Sequence, residues 1–164
     1  MAFDAYLKIE GLEGESTSKG MEKQIEIESF TWGDSHAVTV GSGTGGISAG
    51  KVNIETLNVV KKVDKASAHL FLASCDGSHF KSATLTLRKA TGSGGQKPFL
   101  IIKLTDCMVA AYHLAGATGG SDTPAESVSF AFGKIEYEYY EQKSDGSTSK
   151  AGNAGWNVQT NAKA

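Results

Sequence analysis

The chain has 164 residues, 40% of them hydrophobic, with 20 Gly, 2 Pro, 2 Cys and a formal net charge of −2. That length and apolar content suit one domain with a real core, and they exclude disorder for most of the chain. Near-neutral charge excludes a nucleic-acid grip built on phosphate neutralisation; no stretch nears the roughly 20 apolar residues of a membrane helix, and two cysteines make no disulfide framework.

Met1 to Lys8 carries neither a basic nor an apolar leader segment, so the expectation is a cytoplasmically made chain without a cleavable signal peptide. Phe3, Ala5, Leu7 and Ile9 alternate with polar residues and predict a first strand; residues 11–23 read as a polar loop. From Gln24 to Trp32 the inward set begins with Ile25 and Ile27, then changes phase to Phe30 and Trp32. Residues 34–50 read as a long Gly-rich loop, followed by the strand pattern of Val52 and Ile54 and then the opposite phase of Leu57 and Val59. One helix is predicted over about residues 65–75, with Asp64 as N-cap, Ala66, Leu70 and Ala73 at helical spacing, and Gly77 at C′. Residues 79–90 return to alternation with Ala83, Leu85 and Leu87 inward. Residues 98–112 are apolar on both faces, a central strand in which Pro98 can stand only at the start. Val128, Phe130 and Phe132 share one parity, and Ile135, Tyr137 and Tyr139 the other, with Gly133 between them. Such flips imply bulges or strands that bury different faces along their length, which suits a barrel or curled sandwich better than a flat sheet.

Several residues invite chemical readings. Gly41 to Gly46 fits G-x-G-x-x-G and Gly45 to Lys51 fits G-x-x-x-x-G-K, but a strand rather than a helix follows, and Val52 stands where a phosphate loop has a hydroxyl. Cys75, His79, Cys107 and His113 could supply four zinc ligands in principle, yet tight Cys knuckles are missing, and a buried free thiol in an apolar strand is ordinary. A nucleophile built on Cys75 and His79 lacks an orienting third group. Glu26 and Glu28, like Glu136 and Glu138, share a strand face; a glycosidase pair fits that geometry, but a solvated face is far commoner. The aromatic run Tyr137, Tyr139 and Tyr140 could anchor a core, line a subunit interface or bind a sugar, and in a ligand-binding barrel Trp32, Tyr137 and Tyr139 would be the stacking platform. The residues by themselves call for no catalyst, cofactor or metal.

A resemblance narrows this. Phe3 to Ser16, with Tyr6, Ile9 and the Gly14-Glu15-Ser16 turn, is followed by Phe30-Thr31-Trp32-Gly33 and a Gly-rich loop ending Ala49-Gly50-Lys51-Val52. Val63 to Ser67, Ala83 to Ala90 and Gly155-Trp156-Asn157 complete a collinear series from residue 3 to 157. In order and spacing it resembles the Hcp (haemolysin co-regulated protein) family, tube subunits of type VI secretion systems. Ala68 departs from the family's common Pro after the helix-initiating Ser, a change a first helical turn tolerates.

The resemblance implies a mainly β fold, a curled β-barrel or two-sheet barrel with one flanking helix, filling residues 1–164 as one domain. It implies homohexameric rings stacked into a hollow tube, tipped by a spike protein, propelled by a contractile sheath and carrying secreted effectors, with no cofactor, no nucleic acid and no membrane insertion. It implies passage from the bacterial cytoplasm to the exterior. Ring-stacking contacts are expected at Asp34, Ser35, His36, Gly41, Gly43, Gly45, Gly46 and Gly50, with Glu15 and Ser16 near the same surface, and Thr31 facing the channel. The alternative is a small-ligand or carbohydrate-binding β-barrel.

Overall fold

The computed structural model describes residues 2–41, 46–92 and 94–164. In chain order its elements are β1 (Asp4–Ile9), β2 (Ile25–Ile27), β3 (Ser29–Thr31), β4 (Asp34–Val40), β5 (Ile47–Ile54), β6 (Leu57–Lys62), α1 (Ser67–Asp76), β7 (His79–Ala90), β8 (Gln96–Ala115), β9 (Ala125–Gln142), β10 (Thr148–Asn157) and β11 (Ala162–Lys163). The main sheet runs β11-β10-β9-β8-β7-β1-β2, antiparallel throughout, while β6 pairs with both β9 and β3. Two halves of β9 therefore take different neighbours beyond β8: residues 125–130 pair with β6, and residues 134–142 with β10.

The sheet curls almost into a barrel. From β2 the chain turns at Glu28 into β3, whose partner β6 leads back to β9; the Glu28 N–H donates to Val60 O at 2.8 Å across the seam. Among the described residues no ladder joins β2 to β6, so the expected barrel is a curled two-sheet fold rather than a closed one. Its interior is packed with Leu7, Ile25, Leu57, Val59, Leu85, Ile102, Leu104, Val128 and Phe130, each no more than 1% exposed. Filled in this way, the curl has no room for a ligand in its centre, so a ligand-binding barrel would have to use its surface.

Each phase change has a local cause. The flip at β2–β3 falls at Glu28, and the flip between β5 and β6 separates two strands in different sheets. In β9 the buried set passes from Glu126, Val128 and Phe130 to Gly133 and Ile135, and in β8 from Ile102 and Leu104 to Cys107 and Val109. Pairing continues unbroken from Thr105↔Lys134 to Cys107↔Phe132, so no register break accompanies the flip. Asp106, between them, has φ 56°, a left-handed conformation that turns the alternation by one residue. Pro98 stands third in its strand, after the paired Gln96 and Lys97 rather than at the start, and opposite Arg88 where the register shifts; a bulge tolerates a residue with no N–H to donate.

Helix α1 starts two residues later than the expected span and ends one residue beyond it. The turn ahead of it is closed by Asp64: its carboxylate accepts the Ala66 N–H at 2.9 Å, while Ser67 Oγ accepts the Asp64 N–H at 2.9 Å. These reciprocal bonds close the turn just before the helix; the N-cap position itself falls on Ala66, which makes no side-chain cap, and not on Asp64 as expected. Gly77 is left-handed at φ 70° and returns its N–H to Ala73 O at 3.1 Å, as a C′ glycine does.

Candidate functional site

The segment read as a long loop, 34–50, instead contributes β4 and the first half of β5, which among the described residues pair only with each other. Strand-forming Val38, Val40 and Ile47 explain the ribbon. Val38 lies opposite Ala49 and Val40 opposite Ile47, so these four share one face. That face is bare: Val38 is 54%, Val40 73% and Ile47 74% exposed. No charged residue occurs from Ala37 to Gly50. A two-stranded ribbon is marginal by itself in water, so one with an uncovered apolar face gains most from a partner.

At the root of the ribbon the His36 Nε2 bonds Gly50 O, and the Glu55 N–H donates to Gly33 O at 3.0 Å. Beneath it opens a groove of about 420 Å³ between the ribbon and β9–β10, lined by Trp32, Val52, Ile54, Tyr137 and Trp156. Trp32 and Tyr137 lie with ring centroids 6.5 Å apart at 36°. Tyr139, expected beside them, is 40% exposed and outside this lining.

Asp34, Ser35, His36, Gly41, Gly46 and Gly50 are exposed along the ribbon; Gly43 and Gly45 lie outside the described residues. Glu15 is exposed, but Ser16 is 4% exposed and is corrected here to a structural residue. Its Oγ accepts the Ser18 N–H at 3.2 Å, and its backbone bonds Lys23 and Gln24. Nor do these two share a cleft with the ribbon: they line another concavity with Glu26, Glu28, Lys62 and Asp64. Thr31 is exposed on β3 opposite Asn58, whose amide donates to Ser127 Oγ at 2.9 Å and Ser129 Oγ at 2.8 Å, giving a polar row.

The sulfur and imidazole groups do not converge. Cys75 is exposed on α1 and Cys107 fully buried in β8, where burial, then the neighbouring Asp106, pushes the thiol up to about 11. His79 Nδ1 bonds Asp106 at 3.0 Å in solvent, and His113 is exposed. Among the described residues no three His, Cys, Asp or Glu side chains are grouped to hold a metal. Glu138 bridges Lys103 and Lys150, each at 3.4 Å, and accepts from Tyr140 at 3.0 Å. Against the desolvation that would raise it, Tyr140 and the two lysines hold this carboxyl below its usual range. Glu138 is thus tied into a strand-spanning ion pair.

One cluster was missed by sequence reasoning. Lys61 and Glu126 sit directly opposite each other in the β6–β9 ladder, both fully buried and paired. Lys61 Nζ also bonds Asp64 at 3.0 Å and Ser67 at 3.3 Å; Ser67 Oγ donates to Glu126 at 2.7 Å, and the Tyr112 hydroxyl donates to the other carboxylate oxygen. The signal was available in the parity: Lys61 follows Leu57 and Val59 on the inward set, and Glu126 precedes Val128 and Phe130 on theirs. Opposite charges at two inward positions have to meet each other or a ligand. Here they join the first turn of α1 to both strands.

The fold and its ribbon have relatives. The family described as type VI secretion system effector, Hcp, matches residues 6–139. Protein hcp1 of Pseudomonas aeruginosa is 36% identical over the full length of both chains. A solved type six secretion system protein superposes with a TM-score of 0.92 at 38% identity, over 99% of this chain and 100% of its own. Hcp1 from Salmonella typhimurium does so with a TM-score of 0.79 at 30% identity over the whole of both chains. Family match, full-length identity and a shared fold agree: the chain belongs to the Hcp family of type VI secretion proteins.

Proposed function

We propose that this chain is a non-enzymatic structural subunit of the type VI secretion inner tube. Six copies close head to tail into a ring, and rings stack into a hollow tube. A contractile sheath drives the tube, a spike protein tips it, and secreted effectors travel with it. Thr31 faces the channel, where a small hydroxyl keeps the wall wet. The subunit leaves the bacterial cytoplasm with the tube.

The observation that carries this reading is the β4–β5 ribbon, which has no charged residue from Ala37 to Gly50 and whose apolar face is bare in the single chain. Identical subunits with such an extension associate heterologously, and heterologous contacts close into rings or run on as filaments. Asp34 to Gly50 is assigned to the contact between rings. Light scattering on a sizing column tests the ring: six chains of 17.2 kDa give about 103 kDa. Electron microscopy then tests the stacking. Deleting residues 41–46 is expected to leave that mass unchanged and abolish tubes; tubes of normal length from the deletion variant would refute the assignment.

A further inference from the structure

A buried cation on β7 is left without a counter-ion. Arg88 is 6% exposed, yet among the described residues no carboxylate forms an ion pair with it. Asp4 stands directly opposite in the β1–β7 ladder, but its carboxylate accepts from the Gln96 amide. The guanidinium lies over the Tyr6 ring, 4.9 Å from the centroid. Nη1 donates to Lys19 O at 2.9 Å, the guanidinium's one hydrogen bond among the described residues, and Nε is buried with no partner. With Nη1 engaged, the edge left free is that of Nε and Nη2, the parallel pair of donors that grips an oxyanion. A buried charge is costly unless paired, so this position lacks one anion.

The tip of a strap covers it. Residues 14–24 fold back on themselves: the Gly14 N–H donates to Lys23 O at 2.7 Å, and the Lys23 N–H to Ser16 O at 2.8 Å. The tip turns at Gly20, φ 86°, with the Met21 N–H donating to Ser18 O at 2.8 Å. Ser18 and Lys19 seat this tip on the sheet. Ser18 Oγ and the Tyr6 hydroxyl bond each other at 2.9 Å, while Lys19 O takes the Arg88 bond. Glu22, the acid of the tip, accepts the Gly20 N–H at 3.0 Å instead of pairing with Arg88. The strap thus lays a neutral hydroxyl against the same ring that carries the unpaired cation. Thr17, Lys19, Gly20 and Glu22 are exposed and Ser18 is half-buried, so an enzyme can reach the tip without opening the sheet.

We propose that Ser18 is a phosphorylation site and that Arg88 receives its phosphoryl group. A separate serine kinase using a nucleoside triphosphate carries out the transfer. Ser18 Oγ bonds the γ-phosphorus, the bond from that phosphorus to the bridging oxygen breaks, and the nucleoside diphosphate leaves. The hydroxyl proton passes to the kinase's base. The product carries a charge of about −1.5 to −2 and acceptor oxygens that fill the Nε–Nη2 edge, pinning the strap to β1 and β7. This goes beyond the tube reading and uses neither ribbon nor groove, so either can fail alone.

The test compares the unmodified chain with one made with phosphoserine at position 18 by stop-codon suppression. In urea, at one fixed protein concentration, the midpoint is expected to rise by about 0.5–1.5 M. The rise is expected to vanish in an Arg88→Lys background, which keeps the charge but not the fork. Phosphoserine in place of Thr17 is expected to give no such rise. Phosphorus NMR on the folded chain, which needs no second substitution, is expected to put the phosphate's second ionisation below its usual value of about 6, and to return it there in urea. Inorganic phosphate added to the unmodified chain separates a free anion from a covalent one, and is expected to give no Arg88-dependent rise. Chain purified from the cells that make it natively, with phosphatases inhibited, is expected to yield a peptide phosphorylated at Ser18 rather than at Ser16 or Thr17. A midpoint that rises equally without Arg88, a site filled as well by free phosphate, or a Ser18 peptide found only unmodified would each overturn the proposal.

Discussion

Replacing Lys61 by Met tests what holds α1 to the sheet. The Lys61 side chain is 0% exposed and so is that of Glu126. Met fills the aliphatic volume and leaves Glu126 buried with hydroxyl donors from Ser67 and Tyr112 but no cation. Asp64, 11% exposed, loses the same partner but can turn to water. Removing one member of a buried pair costs about 3–5 kcal/mol, because the remaining charge is neither solvated nor neutralised. With a urea m-value of about 2 kcal/mol/M, the unfolding midpoint should fall by about 1.5–2.5 M. The double variant Lys61→Met/Glu126→Leu removes both charges and should regain at least about 2 kcal/mol over the single change, a coupling a double-mutant cycle isolates. Urea unfolding followed by circular dichroism at one fixed protein concentration is the assay, since assembly of the folded chain shifts apparent stability. A Lys61→Met midpoint within about 0.5 M of wild type, equivalent to about 1 kcal/mol at that slope, would refute the reasoning. So would a double variant as unstable as the two single changes added together.

Three other outcomes follow from local geometry. A Cβ on Gly14 would stand 2.4 Å from Gln24 O, a backbone atom with no freedom to yield, so Gly14→Ala should cost about 1–3 kcal/mol in the same urea titration. Exposed Cys75 should react quickly with a thiol reagent at about pH 8 while Cys107, buried and pushed up to about 11, stays silent until the chain unfolds. Two fast thiols in the folded protein would contradict that packing. Tyr112 is pushed from 10.0 up to about 12, by burial first and then by its bond to Glu126. The unfolded chain gives up this proton near 10 and the folded chain near 12, so its contribution is whole below pH 10 and lost as pH rises to 12. Tyr112→Phe should flatten this part of the alkaline fall in melting temperature.

Much of the fold could be read from the sequence because its signals are local. Alternation located β1 and β7, a two-faced apolar run located β8, and Asp64 with Gly77 bracketed α1, since side-chain period and capping act within a few residues. The parity flips were visible too, but not their causes. That β8 turns at Asp106, with no register break beside Gly133, depends on which strand lies alongside. The ribbon was hidden by its glycines, which signal a turn without saying that strands flank it. Ser16 was misassigned for a related reason: its burial depends on residues 18–24 folding back over it. The Lys61–Glu126 pair needed two inward parities to be compared across 65 residues of chain.

The distribution of charge ties these parts together. This fold spends a buried ion pair on fixing α1 to β6 and β9, although an apolar pair of equal volume would serve stability as well or better. Meanwhile no Asp, Glu, Lys or Arg occurs from Ala66 to Cys75, where Phe71 and Leu72 are exposed, or from Ala37 to Gly50, where Val38, Val40 and Ile47 are exposed. For a chain that works alone this is the wrong way round. For the proposed subunit it is consistent: uncharged segments can be buried and released without stripping a charge, and they need a rigid backing to present one shape to a neighbour. The bonds among Lys61, Glu126, Ser67 and Tyr112 supply that backing, because Ser67 opens α1 and Tyr112 is the ring on which Phe71 rests. A loosened network would therefore move α1 before it unfolded the sheet.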